Sequence, residues 1–133
     1  MVRNKKIIIA IGGGGFTHSS DEDLDEYVIN QVNKSNINIG FLPTASNDNQ
    51  EKTDLFYKRF KSKKFKLSHF NLCSSVEGFN EWMLNKDIIY VGGGNTSEMI
   101  NIWKRHDLIK VFKDAYEKAV SYTHLTLPTT SAV

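Results

Sequence analysis

Residues 87 to 98, which read Asp-Ile-Ile-Tyr-Val-Gly-Gly-Gly-Asn-Thr-Ser-Glu, decide how the rest of this sequence is interpreted. Residues 88–91 are apolar, as is typical of a strand buried on both faces of a parallel sheet. The glycines at 92–94 lack a Cβ, so the backbone there can adopt positive φ and approach a ligand closely. Asn95 suits a helix N-cap, and Glu98 three residues later would complete a capping box. The sequence therefore predicts a strand, a bare loop and the positive end of a helix dipole, an arrangement that can hold an oxyanion or a carboxylate.

A second apolar segment near the start of the chain also ends on glycines. Residues 7–11 are Ile-Ile-Ile-Ala-Ile and predict a strand. The bare loop that follows consists of Gly12, Gly13, Gly14 and Gly15. We expect this second glycine loop to lie beside the first one, at a common crevice.

Strand and helix patterns alternate from residue 5 to residue 119. Strands are predicted near residues 37–41 and 67–72 as well as at the two glycine loops, and helical periodicity fills the segments between and after them. On the first helix we expect Leu24, Tyr27, Val28 and Val32 to share one face. This alternation predicts an α/β fold with three α/β/α layers and a parallel, doubly wound sheet of the Rossmann-like or flavodoxin-like kind, truncated after about four strands.

The predicted strand order places both glycine loops together. In the order 3-2-1-4 the strands at Ile7 and Ile88 are neighbours at the switch point of the sheet, where connections leave in opposite directions. Ligands of doubly wound sheets bind in the crevice at such a point.

Composition excludes several classes of protein. The chain has 133 residues, a formal net charge of +2, 40% hydrophobic and 24% charged residues, which are ordinary globular values. We therefore expect one domain with no nucleic-acid and no membrane partner. The single cysteine, Cys73, excludes an internal disulfide and fits a cytoplasmic location.

The pattern changes after residue 119. Residues 120–133 are rich in Ser and Thr, and neither a helical nor a strand period is evident in them. Their sequence resembles one reading frame of a transposase adapter used in sequencing libraries. We therefore expect residues 1–119 to be the N-terminal part of one domain and residues 120–133 to be a non-native or disordered tail.

Motifs for other chemistries are weak or absent. The first glycine loop has Thr17 where a dinucleotide fingerprint needs its third glycine, and no P-loop sequence occurs. The four histidines, His18, His69, His106 and His124, have no partners at metal-ligand spacing, so we expect no metal and no cofactor. Cys73 follows a predicted edge strand without a nearby charge partner, which favours an inert side chain over a nucleophile.

Three segments resemble a known family. Residues 8–16, 41–46 and, above all, 87–96 with Trp103 downstream are similar to the serine peptidase family of dipeptidase E and cyanophycinase, in the class I glutamine amidotransferase-like superfamily. The resemblance extends from about residue 5 to residue 119. It implies hydrolysis of short aspartyl peptides, or of the aspartyl-arginine polymer cyanophycin, by a Ser-His-Asp or Ser-His-Glu triad. It also implies that an oxyanion or substrate pocket is lined by Gly92, Gly93, Gly94 and Asn95.

The family's nucleophile has no counterpart in this sequence. Family members carry it in a Gly-x-Ser-Ala-Gly turn on the next strand, whereas residues 124–128 here are His-Leu-Thr-Leu-Pro. Ser131 has no glycine on either side, so we do not assign it as the nucleophile. The catalytic residues are expected beyond Val120, and the resemblance therefore implies an inactive fragment of a peptidase whose partner is a small peptide; a homodimer of the parent stays open.

Two alternatives remain at this stage. One is a non-catalytic module that binds a carboxylate or another small anion at the glycine crevice. The other is a nucleotide-binding oxidoreductase, which saturable binding of a nicotinamide cofactor would favour despite Thr17.

Overall fold

Five parallel strands form one sheet in the order β1-β5-β4-β2-β3. The computed structural model describes residues 7–11, 22–32, 34–117 and 124–128. The strands are β1 (Ile7–Ile11), β2 (Ile37–Leu42), β3 (Phe65–His69), β4 (Ile88–Val91) and β5 (His124–Pro128). The helices are α1 (Glu22–Asn30), α2 (Gln50–Phe60), α3 (Phe79–Leu84), α4 (Thr96–Arg105) and α5 (Ile109–Glu117). The predicted three-layer α/β architecture is confirmed.

The sheet separates two apolar clusters, and β4 contributes to both of them. Alternate residues of a strand point to opposite faces, so Ile88 and Tyr90 join one cluster while Ile89 and Val91 join the other. The first cluster includes Val28 and Val32, which lie in α1 and just after it, and Phe56 and Phe60 of α2. The second includes side chains from or beside α3, α4 and α5, namely Phe79, Met83, Met99, Trp103, Leu108 and Phe112. A fully apolar strand is needed at β4 because helices cover both of its faces.

The helices change face where the chain reverses its direction across the sheet. From β1 through β2 to β3 the chain moves toward one edge with α1 and α2 on one face. From β3 back through β4 to β5 it returns with α3, α4 and α5 on the other face. Right-handed crossovers require this exchange of faces when the direction of travel reverses.

The observed strand order corrects the predicted one. The order 3-2-1-4 made the strands at Ile7 and Ile88 neighbours, but β5 lies between them and pairs with both. The gap between β1 and β4 offers unpaired backbone groups on both sides, and filling it satisfies two ladders of hydrogen bonds at once. The sheet accordingly has five strands instead of about four.

Strand β5 lies inside the segment that was expected to be a tail without regular structure. That expectation is wrong for residues 124–128, whose register pairs Leu125 with Ile8 on one side and Ile89 on the other. The sequence does carry a weak signal, since Leu125 and Leu127 alternate with Thr126. Whether residues 120–133 are native stays a prediction.

Some finer predictions also need correction. Val28 of α1 and Val32 just after it are buried as predicted, but Leu24 is 39% and Tyr27 58% exposed. The buried position on that helix is instead taken by Asp25, whose carboxylate forms a salt bridge with Arg59 of α2 and accepts a hydrogen bond from the Tyr90 hydroxyl at 3.4 Å. A buried carboxylate needs partners of this kind, and these three side chains join α1 and α2 to β4.

Polar contacts also fix where β4 begins. The buried Asp87 carboxylate accepts hydrogen bonds from Lys34 Nζ and from the Asn38 N–H, both at 2.9 Å. The Asp87 N–H in turn donates to the Asn38 carbonyl at 2.9 Å. These contacts set the register of β4 against β2. They therefore determine which residues of the two strands lie side by side at the carboxyl edge of the sheet.

Gly40 in the middle of β2 allows α3 to pack closely on the sheet. A Cβ at Gly40 would lie 2.5 Å from Cη2 and 2.8 Å from Cζ2 of the Trp82 ring. The ring is held in place because its Nε1–H donates to Ser68 Oγ at 3.0 Å, while Lys86 Nζ lies 4.7 Å from the ring centroid.

We predict that Gly40→Ala lowers the free energy of unfolding by about 1–3 kcal/mol, because the added methyl group overpacks against Trp82. In a Trp82→Leu background the same substitution should be neutral, or stabilising by up to about 1 kcal/mol, since alanine is preferred to glycine in a strand. Urea denaturation of the four proteins in this cycle measures both costs. Equal costs of Gly40→Ala in the two backgrounds would contradict the packing account.

Candidate active site

The carboxyl ends of β2 and β4 meet at one edge of the sheet. Strand β2 leads through Pro43 into a single 3-10 turn, Thr44–Ser46, and then into α2. Strand β4 leads through the glycines at 92–94 into α4 on the opposite face. Neighbouring strands whose connections leave toward opposite faces form a switch point, the usual ligand site of such sheets. The structure thus places the switch point between β2 and β4, not between β1 and β4.

The glycine loop is fastened to the end of β2 at two points. The Gly92 N–H donates to the Leu42 carbonyl at 3.0 Å, which extends the ladder by one residue. The Asn95 N–H donates to the Ala45 carbonyl at 2.6 Å. Between these points Gly94 has φ +149°, and a Cβ there would lie 2.2 Å from the Ala45 carbonyl oxygen. Only glycine fits this position, because its neighbour is a backbone group that is itself held in place.

Asn95 begins α4 as predicted, but the capping box is only half formed. The Asn95 side-chain oxygen accepts a hydrogen bond from the Glu98 N–H at 3.0 Å. The reciprocal donor of a capping box, the Asn95 N–H, is already bound to Ala45. Fastening the loop to the 3-10 turn therefore takes precedence over the reciprocal contact.

Several N–H groups at this edge are left for a ligand. Within the part of the chain that the structure describes, the N–H groups of Gly93, Gly94, Thr96 and Ser97 have no hydrogen-bond partner. Gly94, Thr96 and Ser97 are exposed, and Gly93 is half-buried. Unpaired N–H groups at the start of a helix attract negative charge through the helix dipole. The N–H groups of Gly92 and Asn95, in contrast, are bound to the Leu42 and Ala45 carbonyls. That Gly92, Gly93, Gly94 and Asn95 line an oxyanion or substrate pocket stays a prediction.

A positive side chain at this edge was missed from the sequence. Lys52, in the first turn of α2, donates from Nζ to the Gly93 carbonyl at 3.2 Å. The position of Lys52 in the sequence does carry a signal. Asn49 caps α2 by accepting a hydrogen bond from the Lys52 N–H, which makes Lys52 the third helical residue. A positive charge at that position opposes the helix dipole.

A polar turn on the other side of the 3-10 turn contains Cys73. Its N–H donates to Asp48 Oδ2 at 3.0 Å, and its Sγ donates to the Thr44 carbonyl at 3.6 Å. Asn47 and Asp48 both have positive φ, 57° and 55°, which shapes this turn. Burial raises the pKa of Asp48, and the hydrogen bonds from Cys73 partly offset that effect.

The environment of Cys73 makes its thiol a poor nucleophile. Burial, followed by the negative charge of Asp48, raises the pKa of the Cys73 thiol to about 11. Because the thiolate is the reactive form, the thiol stays protonated and inert near neutral pH. The expectation that Cys73 has no nearby charge partner is wrong, since Asp48 and Glu98 are charged neighbours and both raise the pKa of its thiol. The inertness of Cys73 itself stays a prediction.

Histidines and acids do not assemble a metal site in the described ranges. His69 at the end of β3 bonds through Nδ1 to the Tyr57 hydroxyl at 2.7 Å, and His106 is exposed at the end of α4. No group of three or more His, Cys, Asp or Glu side chains that could hold a metal occurs among residues 22–32 and 34–117. Likewise, none of the five described helices is long and apolar enough to cross a membrane.

The other predicted site residues cannot be placed at this edge. Gly12, Gly13, Gly14 and Gly15 lie outside the described residues, as do His18 and Ser131. Strand β1 ends at the same edge as β4, but β5 separates them, which corresponds to about 10 Å at the usual strand spacing.

Comparisons with known proteins agree on one family. Residues 8–123 match the model of peptidase family S51. The chain is 38% identical over 117 residues to the uncharacterized peptidase YgaJ of Bacillus subtilis (strain 168), a match that covers 86% of this chain and 51% of that protein. The chain therefore spans about half the length of this curated relative.

A solved structure shows the same fold. The 1.5 Å crystal structure of a protein from Listeria monocytogenes EGD-e, provisionally assigned as a peptidase E, matches with a TM-score of 0.68. The match covers 91% of this chain and 57% of that one at 17% sequence identity, so it bears on the fold alone.

We predict that Gly94→Ala displaces the glycine loop. The matched control is Gly78→Ala, at φ +81° with no atom within 4 Å of an added Cβ, which should cost about 1–2 kcal/mol through backbone strain. Gly94→Ala should cost about 1–3 kcal/mol more, because the Ala45 carbonyl must also move and the Asn95 N–H loses its acceptor. Urea denaturation gives the costs, and the amide NMR resonance of Asn95 reports the displacement. Equal costs with an unmoved Asn95 resonance would contradict the close approach at Gly94.

Proposed function

Because the chain belongs to peptidase family S51, we propose that it supplies the oxyanion and substrate loop of a serine-type peptidase that hydrolyses short peptides containing aspartyl residues. The observation that carries the proposal is the glycine loop at the switch point between β2 and β4, whose N–H groups at Gly93 and Gly94 have no partner among the described residues.

Peptide hydrolysis by acyl transfer places specific demands on such a loop. As a nucleophile attacks the peptide carbonyl, the carbonyl oxygen becomes an oxyanion that must be stabilised by donors already in place. Backbone N–H groups suit this role since they cost no reorganisation, and removing one such donor typically slows an enzyme by roughly 10²–10³-fold. The loop at residues 92–94 offers donors of this kind beside the positive end of α4.

No attacking group is evident among the residues that the structure describes. No serine of residues 22–32 and 34–117 is hydrogen-bonded to a histidine, and the Cys73 thiol is protonated near neutral pH. A triad would use serine as nucleophile and histidine as base and then acid, oriented by a carboxylate. We therefore propose that these groups lie beyond Val120 in the parent protein, and that the 133-residue chain alone does not turn over peptides.

A second function is compatible with the same loop. Free N–H groups at a helix start also suit a module that binds a carboxylate or another small anion without chemistry. The lack of a hydrogen-bonded Ser-His pair among residues 22–32 and 34–117 favours this alternative for the chain on its own.

We predict no measurable hydrolysis of Asp-Leu or other Asp-X dipeptides by the purified 133-residue chain, because no serine among residues 22–32 and 34–117 is hydrogen-bonded to a histidine that could activate it. Full-length YgaJ, assayed in parallel, should hydrolyse them and should react with a fluorophosphonate probe that labels activated serines, whereas this chain should not. Ninhydrin detection of released amino acids and gel fluorescence of the probe provide the two measurements.

Each outcome of this comparison has a distinct meaning. Turnover by the 133-residue chain at a rate near that of YgaJ would overturn the predicted inactivity. If YgaJ itself neither hydrolysed Asp-X dipeptides nor took the label, the serine-peptidase proposal would fail and the anion-binding module would be favoured.

A further inference from the structure

We propose that Lys52 is a positioning residue of the glycine loop, holding the Gly93–Gly94 peptide group so that the Gly94 N–H faces the substrate. The inference rests on the proposed function and names the side chain that orients one of its donors. Lys52 lies in α2, which β3, α3 and β4 separate from the loop in sequence, and neither the predicted site residues nor the family match assigns it a role.

The argument begins with the geometry of a single peptide group. The Gly93 carbonyl and the Gly94 N–H belong to the same planar trans peptide, so they point in opposite directions. Lys52 Nζ lies 3.2 Å from the Gly93 oxygen, which fixes that oxygen toward the start of α2. The Gly94 N–H is thereby directed away from Lys52, and Gly94 is exposed.

The next peptide group is fixed as well, by a different contact. The Asn95 N–H donates to the Ala45 carbonyl, which sets the plane of the Gly94–Asn95 peptide. Glycines on both sides of the Gly93–Gly94 peptide leave little steric resistance to its rotation. Among the described contacts of that peptide group, the hydrogen bond from the Lys52 ammonium to the Gly93 carbonyl opposes this rotation.

The position of Lys52 in its helix supports a role outside the helix. Asn49 caps α2 and Asn95 caps α4 in the same way, each accepting a hydrogen bond from the N–H three residues later. In α4 that third residue is Glu98, which complements the helix dipole; in α2 it is Lys52, which opposes it. A residue that breaks a local stability rule while contacting a candidate site is a candidate for function, and its replacement should leave α2 folded.

The experiment measures the orientation of the Gly94 N–H and anion binding in the same samples. The ¹⁵N-labelled 133-residue chain is compared with Lys52→Met, which removes the donor, with Lys52→Arg, which keeps it, and with Lys58→Met. Lys58 is an exposed lysine in the last turn of α2 and serves as the matched control. Residual dipolar couplings give the direction of the Gly94 N–H bond, and N-acetyl-L-aspartate is titrated as the carboxylate probe at constant ionic strength.

We expect the Gly94 coupling to change in Lys52→Met alone, while Gly92 and the strand amides keep theirs. The dissociation constant for N-acetyl-L-aspartate should rise about tenfold in Lys52→Met, since one donor of the loop is turned away. Lys52→Arg and Lys58→Met should stay within about threefold of the unmodified chain, the difference expected of an exposed charge.

The outcomes separate this inference from the proposed function. If Lys52→Met binds more weakly but keeps the Gly94 coupling, the lysine acts only through its charge and the positioning role is overturned. An unchanged coupling together with unchanged binding overturns it too. If the unmodified chain shows no shifts at Gly93 or Gly94 with the probe, the proposed anion site fails, and the couplings alone still decide whether Lys52 orients the peptide.

Discussion

The hydrogen bond from the Asn95 N–H to the Ala45 carbonyl fixes the segments that follow β2 and β4 at the carboxyl edge of the sheet. It joins the segment after β4 to the segment after β2, and it requires Gly94 because any Cβ there would meet the same carbonyl group. With the loop fastened at this point, α4 begins where its first N–H groups face outward instead of into the core. Hydrogen bonds at both ends therefore hold the glycine loop in place.

The apolar strands and the buried polar groups have separate tasks in supporting that edge. Strand β4 is apolar on both faces and provides the packing energy for the two helical layers. Asp87 fixes its beginning against β2, while Asp25 and Arg59 with Tyr90 fix α1 and α2 against its middle. Burial, and secondarily the charge of Asp25, raises the pKa of Tyr90, so its hydroxyl stays a neutral donor across the physiological range. Contacts far from the glycine loop thus determine where the carboxyl end of β4 lies relative to β2 at the candidate site.

The sequence was sufficient for the elements that local patterns specify. Apolar runs predicted β1 and β4, and the Asn-x-x-Glu spacing predicted the start of α4. Long-range strand pairing was not predictable in this way. Strand β5 is stabilised by hydrogen bonds to β1 on one side and β4 on the other, and the local pattern of residues 124–128 does not reveal these partners. Lys52 and Asp25 were missed for the same reason, because each makes its decisive contact with a residue more than 30 positions away. The sequence indicated that the backbone at Gly94 could approach another group closely, but it did not indicate that this group is the Ala45 carbonyl.

The central claim is that hydrogen bonds hold the glycine loop in place while the N–H groups of Gly93 and Gly94 remain free. Native-state hydrogen exchange of the loop amides tests this claim most directly. The account predicts that the Asn95 amide is protected to a degree similar to amides of β2 and β4, since its hydrogen bond opens only when the edge unfolds. The Gly93 and Gly94 amides, two and one residues earlier, should exchange close to the rate of an unstructured peptide. Strong protection at Gly93 and Gly94, or none at Asn95, would contradict the account, because the donors would then be occupied or the loop would not be fixed.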